Sequence, residues 1–258
     1  MDTNEFLDSK SPNLDEYTCI ITFGFYNKEF RSSICLHPFL DSNTDFYVRY
    51  ECGTEEGVGA LLLIQQEENK KERIPSLESF LNEVDSSYIC SETNISQYDL
   101  DEIYANMDGK RPILIFGDDV LLNKRSKQIL KILQMLDIDV AYLSFDLEKF
   151  AFLKKQNNLA LDSIPLLPSN DGCISYINLD SNHENTLKCS SQFIKVWKIQ
   201  NGDKLEISFD NLTFNAICIE DKSFGGVISI LTLTKKIYCD YRYKKITLKR
   251  CNDGQNNN

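Results

Sequence analysis

The stretch Arg111-Pro112-Ile113-Leu114-Ile115-Phe116-Gly117-Asp118-Asp119 decides how the chain reads. Ile113 to Phe116 is short and wholly apolar, the mark of a strand buried on both faces. Just downstream, residues 122–136 carry Leu122, Ile129, Leu130, Leu133 and Leu136 on one stripe. Lys124, Arg125, Lys127 and Lys131 fall largely outside that stripe, so the segment predicts an amphipathic helix. Val140 to Phe145 is again apolar and predicts a second strand. A strand, a crossover helix and a strand make a parallel pair the natural outcome.

Outward from this unit, Leu147 to Gln156 reads as a second crossover helix with Leu147, Phe150 and Leu153 inward. Leu166-Leu167 and Cys173 to Ile177 read as a strand pair around Ser169-Asn170-Asp171-Gly172, completing a β-α-β-α-β-β order. Upstream, Ser96 caps a helix bearing Leu100, Ile103, Tyr104 and Met107, and Gly109 stops it. Before that, Tyr17 to Phe25, Glu29 to Leu36, Phe46 to Cys52 and Val58 to Gln65 read as strands, and Pro75-Ser76 starts a short helix. Residues 180–191 are polar and read as a linker. Phe193 to Gln200 and Lys204 to Phe209 predict a hairpin through Asn201-Gly202. Thr213 to Ile219, Val227 to Leu233 and Ile237 to Leu248 supply further strands.

The expected fold class is therefore α/β plus β-rich. An N-terminal β-rich region spans 17–95 with one short helix, an α/β domain spans 96–179, and an antiparallel β-meander spans 192–250. Residues 1–16 and 251–258 are polar and predict disordered tails.

The 258 residues are 42% hydrophobic and 26% charged, enough to bury a sizeable core. Thirty-nine acidic against 28 basic residues give a net charge of −11, which opposes nucleic acid and anionic lipid. The charge is uneven: residues 1–107 hold 21 acidic and 7 basic residues, and residues 235–250 hold 7 basic residues against Asp240 alone. The nine cysteines are scattered without a C-x-x-C pair, and His37 and His183 are the only histidines, so no metal centre is expected. Reduced, apolar-flanked thiols and an acidic N-terminus without an apolar segment fit a cytoplasmic or nuclear protein. No apolar run is long enough to span a bilayer. P-loop, G-x-G-x-x-G, G-x-S-x-G and H-E-x-x-H motifs are absent.

Residues 100–177 resemble a monothiol glutaredoxin, a thioredoxin-like domain. Arg111 to Gly117 is similar to the family's first core strand, and Leu143-Ser144-Phe145-Asp146-Leu147 to the end of its second. Asn123-Lys124-Arg125-Ser126-Lys127-Gln128-Ile129-Leu130 matches the position and rhythm of the family's Cys-Gly-Phe-Ser and helix, and Ser163-Ile164-Pro165 its cis-proline signature. The resemblance implies a thioredoxin-like segment and a ligand or peptide groove at Asn123, Ile164 and Pro165. Asn123 stands where the family has its nucleophilic cysteine, and an amide cannot attack a disulfide. Gly117 or Asp118 replaces the lysine that holds the glutathione carboxylate, and no Gly-Gly-Asp turn follows Ile177.

The expected function is a non-catalytic interaction or adaptor protein built around a redox-inactive thioredoxin-like domain, with a protein partner and no cofactor. Glutathione and nucleic acid are disfavoured as partners, and no membrane association is expected. One alternative is a glutathione-dependent thiol oxidoreductase or glutathione binder using a displaced cysteine, with Cys173 nearest. Another is an RNA-associated protein using the strand that carries Arg242, Lys244 and Lys249, where aromatic and basic residues interleave. Asp118-Asp119 is a carboxylate pair better read as capping the next helix.

Overall fold

Ile113 to Phe116 sits in the middle of a parallel sheet, as its apolar run predicts. The computed structural model describes residues 5–25, 30–39, 44–68, 70, 77–144, 147–156, 159–168, 172–179, 184–234 and 241–251. The chain is mixed α/β and divides into two units, 1–169 and 170–258.

In the first unit the order is β1 (Cys19–Phe23), β2 (Ser32–Leu36), β3 (Thr44–Val48), α1 (Glu55–Glu68), α2 (Glu78–Glu83), α3 (Ser86–Thr93) and α4 (Gln97–Met107). There follow β4 (Pro112–Phe116), α5 (Asp118–Leu122), α6 (Ser126–Gln134), β5 (Asp139–Leu143) and β6 (Phe150–Phe152). The strands form one sheet in the order β3-β2-β1-β4-β5-β6. The first five are parallel, and β6 runs antiparallel at the edge. The expected pairing of the two central strands holds, with Ile113 facing Asp139 and Phe116 facing Tyr142.

One face carries the main core. Ile21, Phe23, Leu114, Phe116, Val140 and Tyr142 meet Val58, Leu61 and Leu62 of α1 and Ile129, Ile132 and Leu133 of α6. Ile113, Ile115, Ala141 and Leu143 point the other way, into a smaller cluster with Tyr17 and Phe25 that holds no α-helical residue. The chain leaves β1 toward β2 and leaves β4 toward β5, so the direction of progress reverses between β1 and β4. At that reversal the backbones nearly touch: a Cβ on Gly117 would lie 2.5 Å from the Gly24 carbonyl oxygen.

Several expectations are corrected here. Val58 to Gln65 is helix, within α1, because this helix is buried nearly all round and leaves no polar period to read. The 122–136 helix is broken at Asn123, whose extended backbone and Oδ1 acceptance from the Arg125 N–H separate α5 from α6. Leu147 to Gln156 is no helix: Phe150-Ala151-Phe152 alternates and pairs with β5. Residues 5–16 are not a free tail. Leu7 is buried and bridges to Leu153, and Asn13 caps a turn at Leu14–Glu16. Ser96 does cap α4, reciprocally with Asp99. Ser76 lies outside the described residues.

The expected 96–179 domain does not close on itself, because the strand over Cys173 to Ile177 belongs to the second unit. There β7 (Ile174–Leu179), β8 (Thr186–Cys189), α7 (Ser191–Trp197), β9 (Lys204–Phe209), β10 (Leu212–Glu220), β11 (Ile228–Leu233), β12 (Tyr243–Lys245) and β13 (Thr247–Arg250) follow in order. The supposed linker thus holds β8, whose Leu187 and Cys189 are fully buried. Phe193 to Trp197 is helical rather than extended, within a helix capped by the Ser190 hydroxyl accepting from the Phe193 N–H, and Lys198 ends it. The hairpin turn is Asp210-Asn211, both at positive φ, and not Asn201-Gly202.

This sheet is not a meander. β8 runs parallel to β10, and β7 parallel to β11. Its order is β12-β7-β11-β8-β10-β9-β13, yet β12 and β13 are separated only by Ile246. One strand, residues 243–250, therefore pairs with β7 by its first half and β9 by its second, and the sheet closes into a six-stranded barrel. A row through Asn178, Thr232, Thr186, Ile217 and Lys204 leaves the closing strand at Tyr241 and returns to it at Cys251, a shear of ten residues. Leu187, Cys189, Ile207, Cys218, Leu231 and Ile246 fill the interior with Phe193 of α7.

Ile246 is 4% exposed at the joint between the halves of the closing strand, and its N–H bonds the Cys173 carbonyl at 2.8 Å. Ile246→Ala is expected to cost about 2–5 kcal/mol through the cavity it leaves. Urea unfolding followed by the fluorescence of Trp197 reads it, and a loss below about 1 kcal/mol would contradict the closing role. Gly117→Ala is expected to cost about 1–3 kcal/mol in the first unit by overpacking, read by circular dichroism.

Candidate functional site

Open parallel sheets bind ligands beyond the carboxyl ends of their strands, where the strand order reverses. Here that place is filled by side chains. Beyond β2, His37 is fully buried, and its Nε2 lies 3.8 Å from Oδ2 of buried Asp119 at the start of α5. Beyond β3, Tyr50 is fully buried, and its hydroxyl would lie 3.4 Å from a Cβ on Gly24. Burial, with the Glu55 and Asp119 carboxylates adding, pushes the Tyr50 phenol well above its ordinary value. The sequence pattern showed none of this constellation, since His37, Tyr50 and Asp119 come from three separate connections.

Asn123, expected in the groove, is instead part of this packing. Its Nδ2 donates to Glu55 Oε2 at 2.6 Å, which joins the α5–α6 break to the first turn of α1. Arg125 reinforces that joint with two bonds to buried Glu56, at 2.9 and 2.8 Å. The Glu56 carboxylate raises the Arg125 guanidinium above its ordinary value.

Ile164 and Pro165 are brought together with α3 and stand apart from Asn123. With Ser163 and Leu166 they form one wall of a cavity of about 250 Å³; Glu83, Val84, Asp85, Tyr88 and Ile89 form the other. The peptide bond before Pro165 is trans, the commoner state. Leu166 is 86% exposed. The next residue, Leu167, is buried and anchors the wall, its N–H donating to the Tyr88 hydroxyl at 2.9 Å. Gly57 in α1 makes this seat possible, because a Cβ there would lie 2.8 Å from Leu167 Cδ1 and 3.0 Å from Ile89 Cγ2. Asp85 also caps α3 through the Tyr88 N–H at 3.0 Å.

The wall continues a strap, residues 154–167, whose described residues form neither helix nor strand. The face of α6 holds it by its carbonyls. Arg125 Nη2 donates to Ser163 O at 3.3 Å, Gln128 Nε2 to Asp162 O at 2.9 Å, Lys131 Nζ to Ala160 O at 3.2 Å and Gln134 Nε2 to Lys154 O at 2.7 Å. The amide oxygens of Gln128 and Gln134 are buried and accept no hydrogen bond. An unpaired buried acceptor of this kind costs about 1–3 kcal/mol.

The basic strand is engaged within its own unit. Arg242 Nη1 donates to the Tyr176 hydroxyl at 3.0 Å, Lys244 pairs with Asp210 at 2.6 Å and Lys249 with Glu206 at 3.4 Å. Phosphate contacts would compete with those partners. Residues 235–240 lie outside the described residues. Among the described residues no cluster of His, Cys, Asp and Glu has the make-up of a metal site, and no helix is long and apolar enough to cross a membrane.

Cys173 faces the barrel interior at 5% exposure, and burial pushes its thiol up to about 12. Cys19, Cys52 and Cys90 are pushed up for the same reason. Cys189 is pushed up by its hydrogen bond to Cys218 and by burial. Cys251 is exposed. A thiol-reactive probe at neutral pH is expected to label Cys251 in the folded protein while Cys173 reacts only on unfolding, read by peptide mass mapping. Fast labelling of Cys173 would revive the displaced-cysteine reading.

No known family model matches the chain, and no curated protein matches it in sequence.

Proposed function

We propose that the protein is a non-catalytic interaction protein whose docking site is the groove between α3 and Ile164-Pro165-Leu166. The single observation that carries this reading is Leu166, 86% exposed on the rim of a groove, in the wall that buried Leu167 anchors. Water contact at a leucine side chain is unfavourable, and covering it would recover about 1.5–3 kcal/mol. A leucine beside a cavity lined by further apolar side chains gives a docking segment both contact area and a pocket to fill.

The partner's chemistry follows from the lining. Val84, Ile89, Ile164 and Leu166 favour an apolar side chain. Glu83 and Asp85 on the opposite rim favour a lysine or arginine next to it. The acidic first half of the chain adds a field of the same sign. Of the glutaredoxin resemblance, the amide at Asn123 supports a role without thiol chemistry, because no cysteine lies between Cys90 and Cys173. The β4–α6–β5 unit serves in this reading as the frame for the groove.

A fluorescent peptide carrying leucine flanked by lysines tests the proposal by anisotropy. Leu166→Asp is expected to weaken its binding at least tenfold. Replacing the peptide lysines by glutamates is expected to do the same, and added salt to weaken the wild-type complex. Binding indifferent to both substitutions, or absent altogether, would overturn the reading.

A further inference from the structure

The two edges of the first sheet differ in how they are covered. At β6 the chain supplies its own cover. Asp8 N–H donates to Phe152 O at 2.8 Å, Phe152 N–H to Lys10 O at 3.1 Å and Lys154 N–H to Phe6 O at 2.9 Å. At the opposite edge, no strand lies beyond β3 among the described residues. A row of backbone groups at such an edge is a template for another strand.

One bond fixes which groups that edge offers. The Val48 carbonyl accepts from the His37 N–H at 3.2 Å, so Val48 turns its backbone toward β2. On a strand, the N–H and C=O of one residue point to the same neighbour, and the side alternates from residue to residue. Thr44 and Phe46 therefore also turn toward β2, and Asp45 and Tyr47 turn away from it. Arg49 follows directly, and the bond between His37 and Val48 carries the ladder up to it. Asp45, Tyr47 and Arg49 share one face by the same alternation. The Arg49 guanidinium is near enough to the Tyr47 phenol to act on its charge.

The charges on this row are of opposite sign, and neither is well used within the chain. Asp45 meets Arg31 at 3.4 Å with both side chains largely exposed, where an ion pair adds little. Arg49 Nε is buried without a hydrogen-bond partner, and its Nη2 stands 3.6 Å from Glu51 Oε1, too far for a hydrogen bond.

We propose that β3 pairs antiparallel with β3 of a second copy of this chain, about a two-fold axis at Tyr47. Only residues that turn outward can exchange backbone bonds across the axis, which restricts the pairing to Asp45, Tyr47 and Arg49. The register that uses all of them sets Tyr47 against Tyr47 and Asp45 against Arg49, the latter twice by symmetry. Opposite charges facing each other across strands stabilise a pair, and like charges oppose it. The same register brings Phe46 opposite Val48 on the face of the main core. An unrelated strand could satisfy the backbone, but the charge order along β3 is complementary to its own reverse. This edge is separate from the groove at Leu166, and the proposal does not rest on that groove.

Sedimentation velocity of the full chain over a range of concentrations tests the pairing. Salt of about 0.15 M screens the net negative charges of two copies beyond about 8 Å. The wild type is expected to pass from monomer to dimer as concentration rises. Asp45→Arg and Arg49→Asp are each expected to weaken the dimer at least tenfold, because each sets like charges against one another. Mixed together, the two variants are expected to regain the wild-type affinity, since every facing pair is then of opposite sign. Leu166→Asp is expected to leave the dimer unchanged. Circular dichroism checks that each variant folds, and Arg49→Glu replaces Arg49→Asp if that variant does not. If neither folds, Asp45→Arg against the wild type decides. A monomer at every concentration, a dimer indifferent to Asp45→Arg, a mixture no tighter than the variants alone, or loss with Leu166→Asp would each overturn the proposal.

Discussion

The pairing of β1 with β4 is the constraint on which the first unit depends. Cys19 faces Pro112 and Phe23 faces Phe116, so two segments almost a hundred residues apart must find one register. Everything between them, four helices among it, is a loop whose closure that pairing has to stabilise. The pair is buried on both faces, and a one-residue slip would exchange Ile21 and Leu114 for their neighbours across two different clusters. Gly117 sets how closely the strand ends approach. Beyond them His37, Tyr50 and Asp119 occupy the place where comparable sheets hold ligands.

Much of the first unit was legible where a period was present. Ile113 to Phe116 and Ser96 with its helix combine pattern and boundary and stand where the sequence puts them, and the stripe of Ile129, Leu130 and Leu133 holds in α6, whose start the pattern missed. The failures share a physical cause. α1 buries Glu55, Glu56 and Glu67 together with its leucines, so charge no longer marks a solvent face. Phe150-Ala151-Phe152 is too short for its alternation to outweigh a helical count. α7 carries Phe193 and Trp197 at a helical spacing of four that two-residue alternation also accommodates. β8 hides in a polar stretch because only Leu187 and Cys189 face inward.

The candidate site was legible only in part. Ile164 and Pro165, which the resemblance placed in one groove with Asn123, line a cavity with α3. Asn123 does not, because its partner Glu55 lies 68 residues away and no local pattern announces it. Gln128 and Gln134 read as ordinary polar positions on a helix. Their importance appears only when the strap is placed across them, a relation between segments that periodicity within one segment cannot carry. Tyr88 is a similar case, since the hydroxyl that anchors Leu167 has no signature of its own.

The barrel's closing strand has a consequence for how the protein is made. Synthesis runs from the N-terminus, and early segments begin to fold before late ones exist. Tyr243 to Arg250 comes after every other strand of the barrel in chain order. Until it emerges, β7 and β9 are both open edges, each offering a full row of unpaired backbone groups to any neighbouring strand. A ribosome that stops before residue 243 releases a second unit with its interior hydrophobes formed into a sheet but not enclosed. The fate of such a product is set by competition between chaperones and self-association, while a chain that reaches residue 250 closes the ring from within.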